Sequence, residues 1–304
     1  MRAVDPVIEA LGEFKGPTSN WIVGEPCFPP PVELREALSH AAHSRSYRYP
    51  PPAGLPELRD VLASLTCVEK GISSRENVVV THGAKGGLFA LFATILHPGD
   101  EIIHPQPCYP AYVSMAETLG ARPVAVPESR RGFKSWTDAI RPRINERTRA
   151  VVLASPSNPT GSTLHREEAR LLVELCREND IRLICDEAYV DFRFAEDTRD
   201  LPATFDPNNA TVVQVRSASK SWALCGWRLG WVIADRDLAE RVALRQASLL
   251  NPASGPAQQA LLSLPRVDTD FADAARTAVG RRHTEVREAL GSSLGILEPD
   301  GGFY

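Results

Sequence analysis

Residues 149–189 read RAVVLASPSNPTGSTLHREEARLLVELCRENDIRLICDEAY. The apolar run AVVLA closes on the turn residues SPSNPTG, and a second run, IRLIC, closes on Asp186 and Glu187. Between them HREEARLLVELCREND repeats apolar residues at helical spacing beneath a charged face. Runs this short and apolar read as strands buried on both faces, and a strand–helix–strand unit joins parallel neighbours. The stretch therefore sets the fold class: α/β, with a mostly parallel sheet sandwiched by helices.

The same alternation extends in both directions. ENVVVTHG, EIIHP, ARPVAVP and ATVVQVRS are further strand-like runs, and AKGGLFALFATILHPGD and AYVSMAETLG have helical spacing. From about residue 77 to 234 the pattern predicts a seven-stranded type of sheet, with GWRLGWVIA as an antiparallel addition. Beyond residue 236 it turns helical, through DLAERVALRQASLL, SGPAQQALLSL and the long amphipathic TDFADAARTAVGRRHTEVREALGSS. A strand-like GILEP and the turn PDGGFY follow. At 304 residues two lobes are expected: a large domain over 45–265 and a smaller α+β domain from 1–44 and 266–304. The smaller one reads as incomplete, because the chain stops at Tyr304 where a strand should begin, leaving an unpaired edge. The expectation is a truncated version of a longer protein.

Composition narrows the function class. A net charge of -4 offers no electrostatic footprint for nucleic acid or an anionic membrane. Six cysteines stand singly with no CxxC pair, which suits reduced thiols in a cytoplasmic protein. The N-terminus has no signal-peptide core, and no apolar run approaches membrane-spanning length. His82 and His104 sit at strand ends without a second metal ligand at the right spacing. No GxGxxG follows a strand, which argues against a nicotinamide site.

Ligands of open α/β sheets bind beyond the carboxyl ends of the strands, and in this chain those ends carry chemistry. After ENVVVTH, the backbone N–H groups of Gly83, Ala84 and Lys85 open a helix and can hold a phosphate. After EIIHPQP come Tyr109 and Tyr112, either of which can stack on a flat ligand or simply pack. RAVVLASPS ends at Asn158, and IRLIC ends at Asp186, a carboxylate that burial makes costly without a partner. Tyr189 follows three residues on. In SASKSWALCGWRLGW, Ser217 to Trp231, Ser217 and Ser219 precede Lys220, and Arg228 stands eight positions beyond it. An amine there is a Schiff-base nucleophile toward an aldehyde, and the guanidinium matches a phosphate. Each signal alone has an ordinary structural reading. Together they describe a planar ring bearing an aldehyde (Lys220), a basic nitrogen (Asp186), a phenolic oxygen (Asn158, Tyr189), a stacking face (Tyr109) and a phosphate (the Gly83–Lys85 turn, Ser217, Arg228). That ligand is pyridoxal 5'-phosphate.

The chain also resembles the class I/II aminotransferases of the fold-type I pyridoxal-phosphate enzymes, an aspartate-aminotransferase-like family. The resemblance is carried by YPPPAGLPELR from Tyr49, GAKGGL from Gly83, PGDEII from Pro98, PCYPAY from Pro107, SNPTG from Ser157, DEAY from Asp186 and SASK…GWRLG from Ser217. It implies transamination between an amino acid and a 2-oxo acid, with Lys220 forming the Schiff base and moving the proton. It further implies that Asp186 keeps the ring nitrogen protonated, that Asn158 and Tyr189 tune the phenolic oxygen, and that Tyr109 stacks. Gly24, in IVGEP, matches the glycine lining the substrate carboxylate site, and Asn158 is expected to bind substrate as well. Tyr49, a better match than Tyr47, matches a tyrosine that reaches the partner's phosphate, which implies a homodimer. One departure stands out: the family's carboxylate-binding arginine lies well beyond the GGFY turn, and this chain has no such residue. Besides truncation, the alternatives are that another group, such as Arg193 or Arg35, takes that role or that catalysis on amino acids is impaired. Other pyridoxal-phosphate reactions on the same scaffold (elimination, cyclisation, decarboxylation, oxidase-type) share the cofactor residues, and a non-catalytic cofactor-binding module is the more distant alternative.

Overall fold

The computed structural model describes residues 24–26, 28–43, 48–66, 74–128, 135–194, 201–296 and 298–304. Its centre is one seven-stranded sheet. In chain order the strands are β1 (Val78–Thr81), β2 (Glu101–Gln106), β3 (Arg122–Pro127), β4 (Thr148–Ala154), β5 (Arg182–Asp186), β6 (Val212–Ser217) and β7 (Gly230–Ile233). In space they run β1-β7-β6-β5-β4-β2-β3. The pairs from β3 through β6 are parallel, whereas β7 lies antiparallel to both β6 and β1. The antiparallel reading of GWRLGWVIA is thus borne out.

The strands are apolar along their whole length because both faces are covered. Alternation along β5 divides the core: Ile184 joins Val152, Val213, Val215 and Val232 on one face. Leu183 and Cys185 join Val151, Leu153 and Val212 on the other. A third cluster packs Val78, Val80, Trp231 and Ile233 against Leu34, Leu58 and Leu62. The last three sit on α1 (Val32–His43) and α2 (Pro56–Thr66), two helices that the sequence reading had not assigned.

The crossover helices follow the expected runs: α3 (Gly83–Ile95), α4 (Ala111–Thr118) and, after the short α5 (Trp136–Ile140), α6 (Arg166–Glu178). In α6 the buried residues Ala169, Leu172, Val173 and Cys176 recur at helical spacing. Burying each large apolar side chain contributes about 1.5–3 kcal/mol. The opposite face carries Arg170, paired at 2.5 Å with both Glu167 and Glu174.

After β7 come α7 (Arg236–Leu250), α8 (Gly255–Leu261) and the 25-residue α9 (Asp270–Leu294). Asp235 and Ser254 cap α7 and α8 through backbone N–H groups. Helix α9 ends on Gly295, which is left-handed at φ 61° as a helix stop requires. A small aromatic core (Phe28, Phe192, Phe194, Phe303) receives Ala275 and Val279 of α9. The strand expected over GILEP does not form among the described residues. The chain instead folds back as a turn whose single bridge joins Gly301 to Arg193. That turn is held by other bonds, since Asp300 and Gly301 both donate to the Gly161 carbonyl at 2.9 Å. No helix among the described residues is long and apolar enough to cross a membrane.

Candidate active site

Helix connections from β2 and β4 diverge to opposite sides of the sheet, which leaves a crevice at the carboxyl ends of these strands. Several of the residues singled out above line this edge. Tyr109 follows β2, Asn158 follows β4, Asp186 ends β5, and Gly83 opens α3 just after β1. Strands β6 and β7 are paired from Gln214↔Ile233 to Ser217↔Gly230, so the loop between them also emerges here, carrying Lys220 and Arg228.

Lys220 stands in a single helical turn, Ala218–Ser221, capped by Ser217, whose Oγ accepts from the Ser219 N–H at 3.1 Å. Its Nζ donates to the Gly24 carbonyl, lies 3.7 Å from Cys225 Sγ, and sits 5.9 Å from the centroid of the Tyr189 ring. Arg228 is left-handed at φ 54° and donates to the Cys225 carbonyl at 2.9 Å. Its guanidinium reaches the start of α3: a Cβ added to Gly83 would lie 2.6 Å from Arg228 Nη2. Gly83 itself has φ +71°, a conformation open to glycine at little cost. Gly230 has no room for a side chain either, because a Cβ there would fall 2.6 Å from the Ala84 nitrogen. Two glycines thus let a guanidinium and the N–H groups of a helix start converge, an arrangement suited to an anion.

Asp186 is buried. Its Oδ2 accepts from the Tyr112 hydroxyl at 2.8 Å, and its Oδ1 accepts from the Ala188 N–H at 3.1 Å. Burial pushes its carboxyl up to about 6, against the opposing pull of the Tyr112 and Ala188 hydrogen bonds. Among the described residues no cationic side chain pairs with it. Glu187 differs, being ion-paired with Arg216 at 2.7 Å. A basic ring nitrogen such as that of pyridoxal phosphate would suit this unpaired carboxylate, and the convergence of Arg228 with the start of α3 would suit its phosphate.

Tyr109 meets Tyr112 edge to face at 5.6 Å, and the Lys85 ammonium lies 5.5 Å above the Tyr109 ring. Tyr189 is buried, and desolvation drives its phenol well above the usual range, with Tyr304, Asp186 and Tyr109 adding to the effect. Asn158 is half-buried in a turn tied by Gly161 N–H to Ser157 O at 2.9 Å. Ser219 is buried beside Lys220. Tyr49 stands apart at 80% exposure. Tyr47 lies outside the described residues. Arg193 donates to the Ser155 carbonyl at 3.2 Å, and Arg35 is exposed on α1, so neither guanidinium is joined to the Lys220 cluster by these bonds.

The chain matches the family model for aminotransferase class I and II over residues 17–304. It belongs to the class I and II aminotransferases. It is 33% identical over 288 residues to a probable aspartate/prephenate aminotransferase of Aquifex aeolicus, covering 92% of this chain and 73% of that one. An aspartate/prephenate aminotransferase of Thermus thermophilus is 34% identical over 290 residues, covering 92% and 74%. Among solved structures, the aspartate aminotransferase of Rhizobium meliloti superposes with a TM-score of 0.88 at 28% identity, covering 98% and 75%. This aminotransferase is accordingly a transferase of a family that is generally pyridoxal-phosphate-dependent.

Sequence reasoning assigned Tyr112 only to stacking or packing. Its hydroxyl instead holds Asp186, a contact between residues 74 positions apart that no local pattern encodes. The one available signal was the spacing of Tyr109 and Tyr112 across the first turn of a helix, which places both near the same strand end. The Glu187–Arg216 pair and the Gly24–Lys220 contact were likewise invisible before the strands were paired. Among the described residues no cluster of three or more potential metal ligands occurs.

Proposed function

We propose that this aminotransferase moves an amino group between an amino acid and a 2-oxo acid, using pyridoxal phosphate carried on Lys220. The observation that carries the reading is Asp186: a buried carboxyl pushed up to about 6, with no cationic partner among the described residues. When bound, the cofactor supplies an electron-withdrawing ring that stabilises charge at the substrate α-carbon. Asp186 holds a proton at the ring nitrogen, and Tyr112 holds Asp186. Lys220 would hold the cofactor through its amine and would move the proton at the substrate α-carbon. Asn158 and Tyr189 face the phenolic oxygen, Tyr109 covers the ring, and Gly24 receives the substrate carboxylate. The phosphate is held by the N–H groups of Gly83, Ala84 and Lys85 together with Ser217, Ser219 and Arg228. Tyr49, exposed in the single chain, contributes to the phosphate site of a second copy in a homodimer. The large domain spans 45–265 and the smaller one takes in 1–44 and 266–304. The free thiols of Cys108, Cys176, Cys185 and Cys225 accord with a cytoplasmic setting.

The test is spectroscopic. Protein loaded with pyridoxal phosphate should show a visible absorption band that Lys220→Ala abolishes. Aspartate, chosen from the names of the relatives, should lead a panel of amino acids that convert the cofactor to pyridoxamine phosphate with one equivalent of oxo acid. Protein that ignores the cofactor refutes the reading. Release of ammonia or carbon dioxide without pyridoxamine phosphate would replace transamination with another reaction on the same site.

A further inference from the structure

Gly24 is held from both sides. Its N–H donates to the Tyr304 hydroxyl at 2.9 Å, and its carbonyl accepts from the Lys220 ammonium. A Cβ on Gly24 would fall 2.6 Å from Tyr304 Oη and 3.1 Å from Tyr189 Oη, so two phenol hydroxyls close on one α-carbon. The Tyr189 and Tyr304 rings meet edge to face at 6.1 Å. Lys220 Nζ in turn lies over the Tyr189 ring, 5.9 Å from its centroid. Lys220, Gly24, Tyr304 and Tyr189 therefore form a closed ring of contacts in which each member touches the next.

A lysine side chain loses much rotamer freedom when its amine is confined to one place, and the confinement is only as good as the acceptor that imposes it. Here the acceptor is a backbone carbonyl on a residue with no side chain of its own to pack. On its other side that residue is held by the Tyr304 hydroxyl. We propose that Tyr304 is a positioning residue: its hydroxyl pins Gly24 against Tyr189 so that the Gly24 carbonyl holds the Lys220 amine where it can attack. The proposal rests on Lys220 being the cofactor-carrying amine and assigns a role to a residue outside the cofactor-binding set.

Tyr304→Phe removes only the hydroxyl and keeps the ring. The cofactor-free protein is mixed with pyridoxal phosphate, quenched with borohydride at intervals, and the reduced adduct on Lys220 is followed by mass spectrometry. Tyr304→Phe should slow capture about three- to tenfold, the range that one neutral hydrogen bond accounts for. Its thermal midpoint should fall by no more than about 4 °C, the loss one neutral hydrogen bond accounts for, and in turnover kcat should fall. Gly24→Ala, whose methyl displaces the same hydroxyl, should slow capture comparably. The double variant should be no slower than the slower single one, because both changes cut the same link. Wild-type capture in Tyr304→Phe, or additive losses in the double variant, would overturn the proposal while leaving the reading of Lys220 intact. Failure of the wild-type protein to form the adduct would overturn both.

Discussion

Replacing Asp186 by asparagine should stabilise the cofactor-free protein at neutral pH. The carboxyl is pushed up to about 6 by burial, against an ordinary aspartate value near 3.9. The folded protein therefore keeps a proton that the unfolded chain releases, and stability falls as pH rises from about 4 through about 6, then levels. A rise of about two pH units corresponds to about 3 kcal/mol lost above that window. Asparagine resembles the protonated form and escapes this loss. It returns about 1 kcal/mol, because its amide N–H group enters a pocket already supplied with the Tyr112 and Ala188 donors. The net expectation is about 2 kcal/mol in favour of Asp186→Asn at pH 8, shrinking to nothing or reversing by pH 4. Urea unfolding of both cofactor-free proteins at pH 4, 6 and 8 measures it. Pyridoxal phosphate should invert the ranking at pH 8, since a cationic ring nitrogen rewards the carboxylate and not the amide. A pH-independent difference, or a less stable Asp186→Asn at pH 8, would refute the view that this carboxylate is held at a cost for want of a charge partner.

Two further outcomes follow from the same geometry. Tyr112→Phe removes a donor to a buried carboxylate and should destabilise the cofactor-free protein by about 1.5–3 kcal/mol at pH 8, with a smaller loss at pH 5, where the carboxyl is mostly protonated; chemical unfolding at the two pH values reads the difference. Gly83→Ala forces a left-handed alanine and sets its methyl against the Arg228 guanidinium, so pyridoxal phosphate affinity should drop about tenfold, by fluorescence titration, with about 1–2 kcal/mol lost from stability.

The strands and crossover helices of the sheet were legible because burial on both faces writes itself as short apolar runs. The candidate site residues Asp186, Asn158 and Lys220 could be grouped without knowing a distance because the fold places strand ends at a common edge, where the structure also puts them. What escaped was chemistry set by tertiary approach. The hydroxyl of Tyr112 meets Asp186 only after β2 and β5 take their places on either side of β4. GILEP reads as a strand by its isoleucine and leucine, yet the left-handed Gly295 and the bonds from Gly161 to the following turn draw the chain elsewhere. Helices α1 and α2 went unassigned because the proline-rich segments around them dominate the local pattern, although Leu34, Leu58 and Leu62 complete a core.

The pairing of Ser217 with Gly230 has a consequence for assembly of the holoenzyme. Lys220 and Arg228 sit on one loop whose two ends are fastened to neighbouring strands, so their separation is settled when the sheet forms. A ligand that engaged both residues would have no chain to gather and would lose only its own freedom. Lengthening the loop at Gly226, where a Cβ would meet nothing within 4 Å, would release the fixed spacing of Lys220 and Arg228 and loosen the grip.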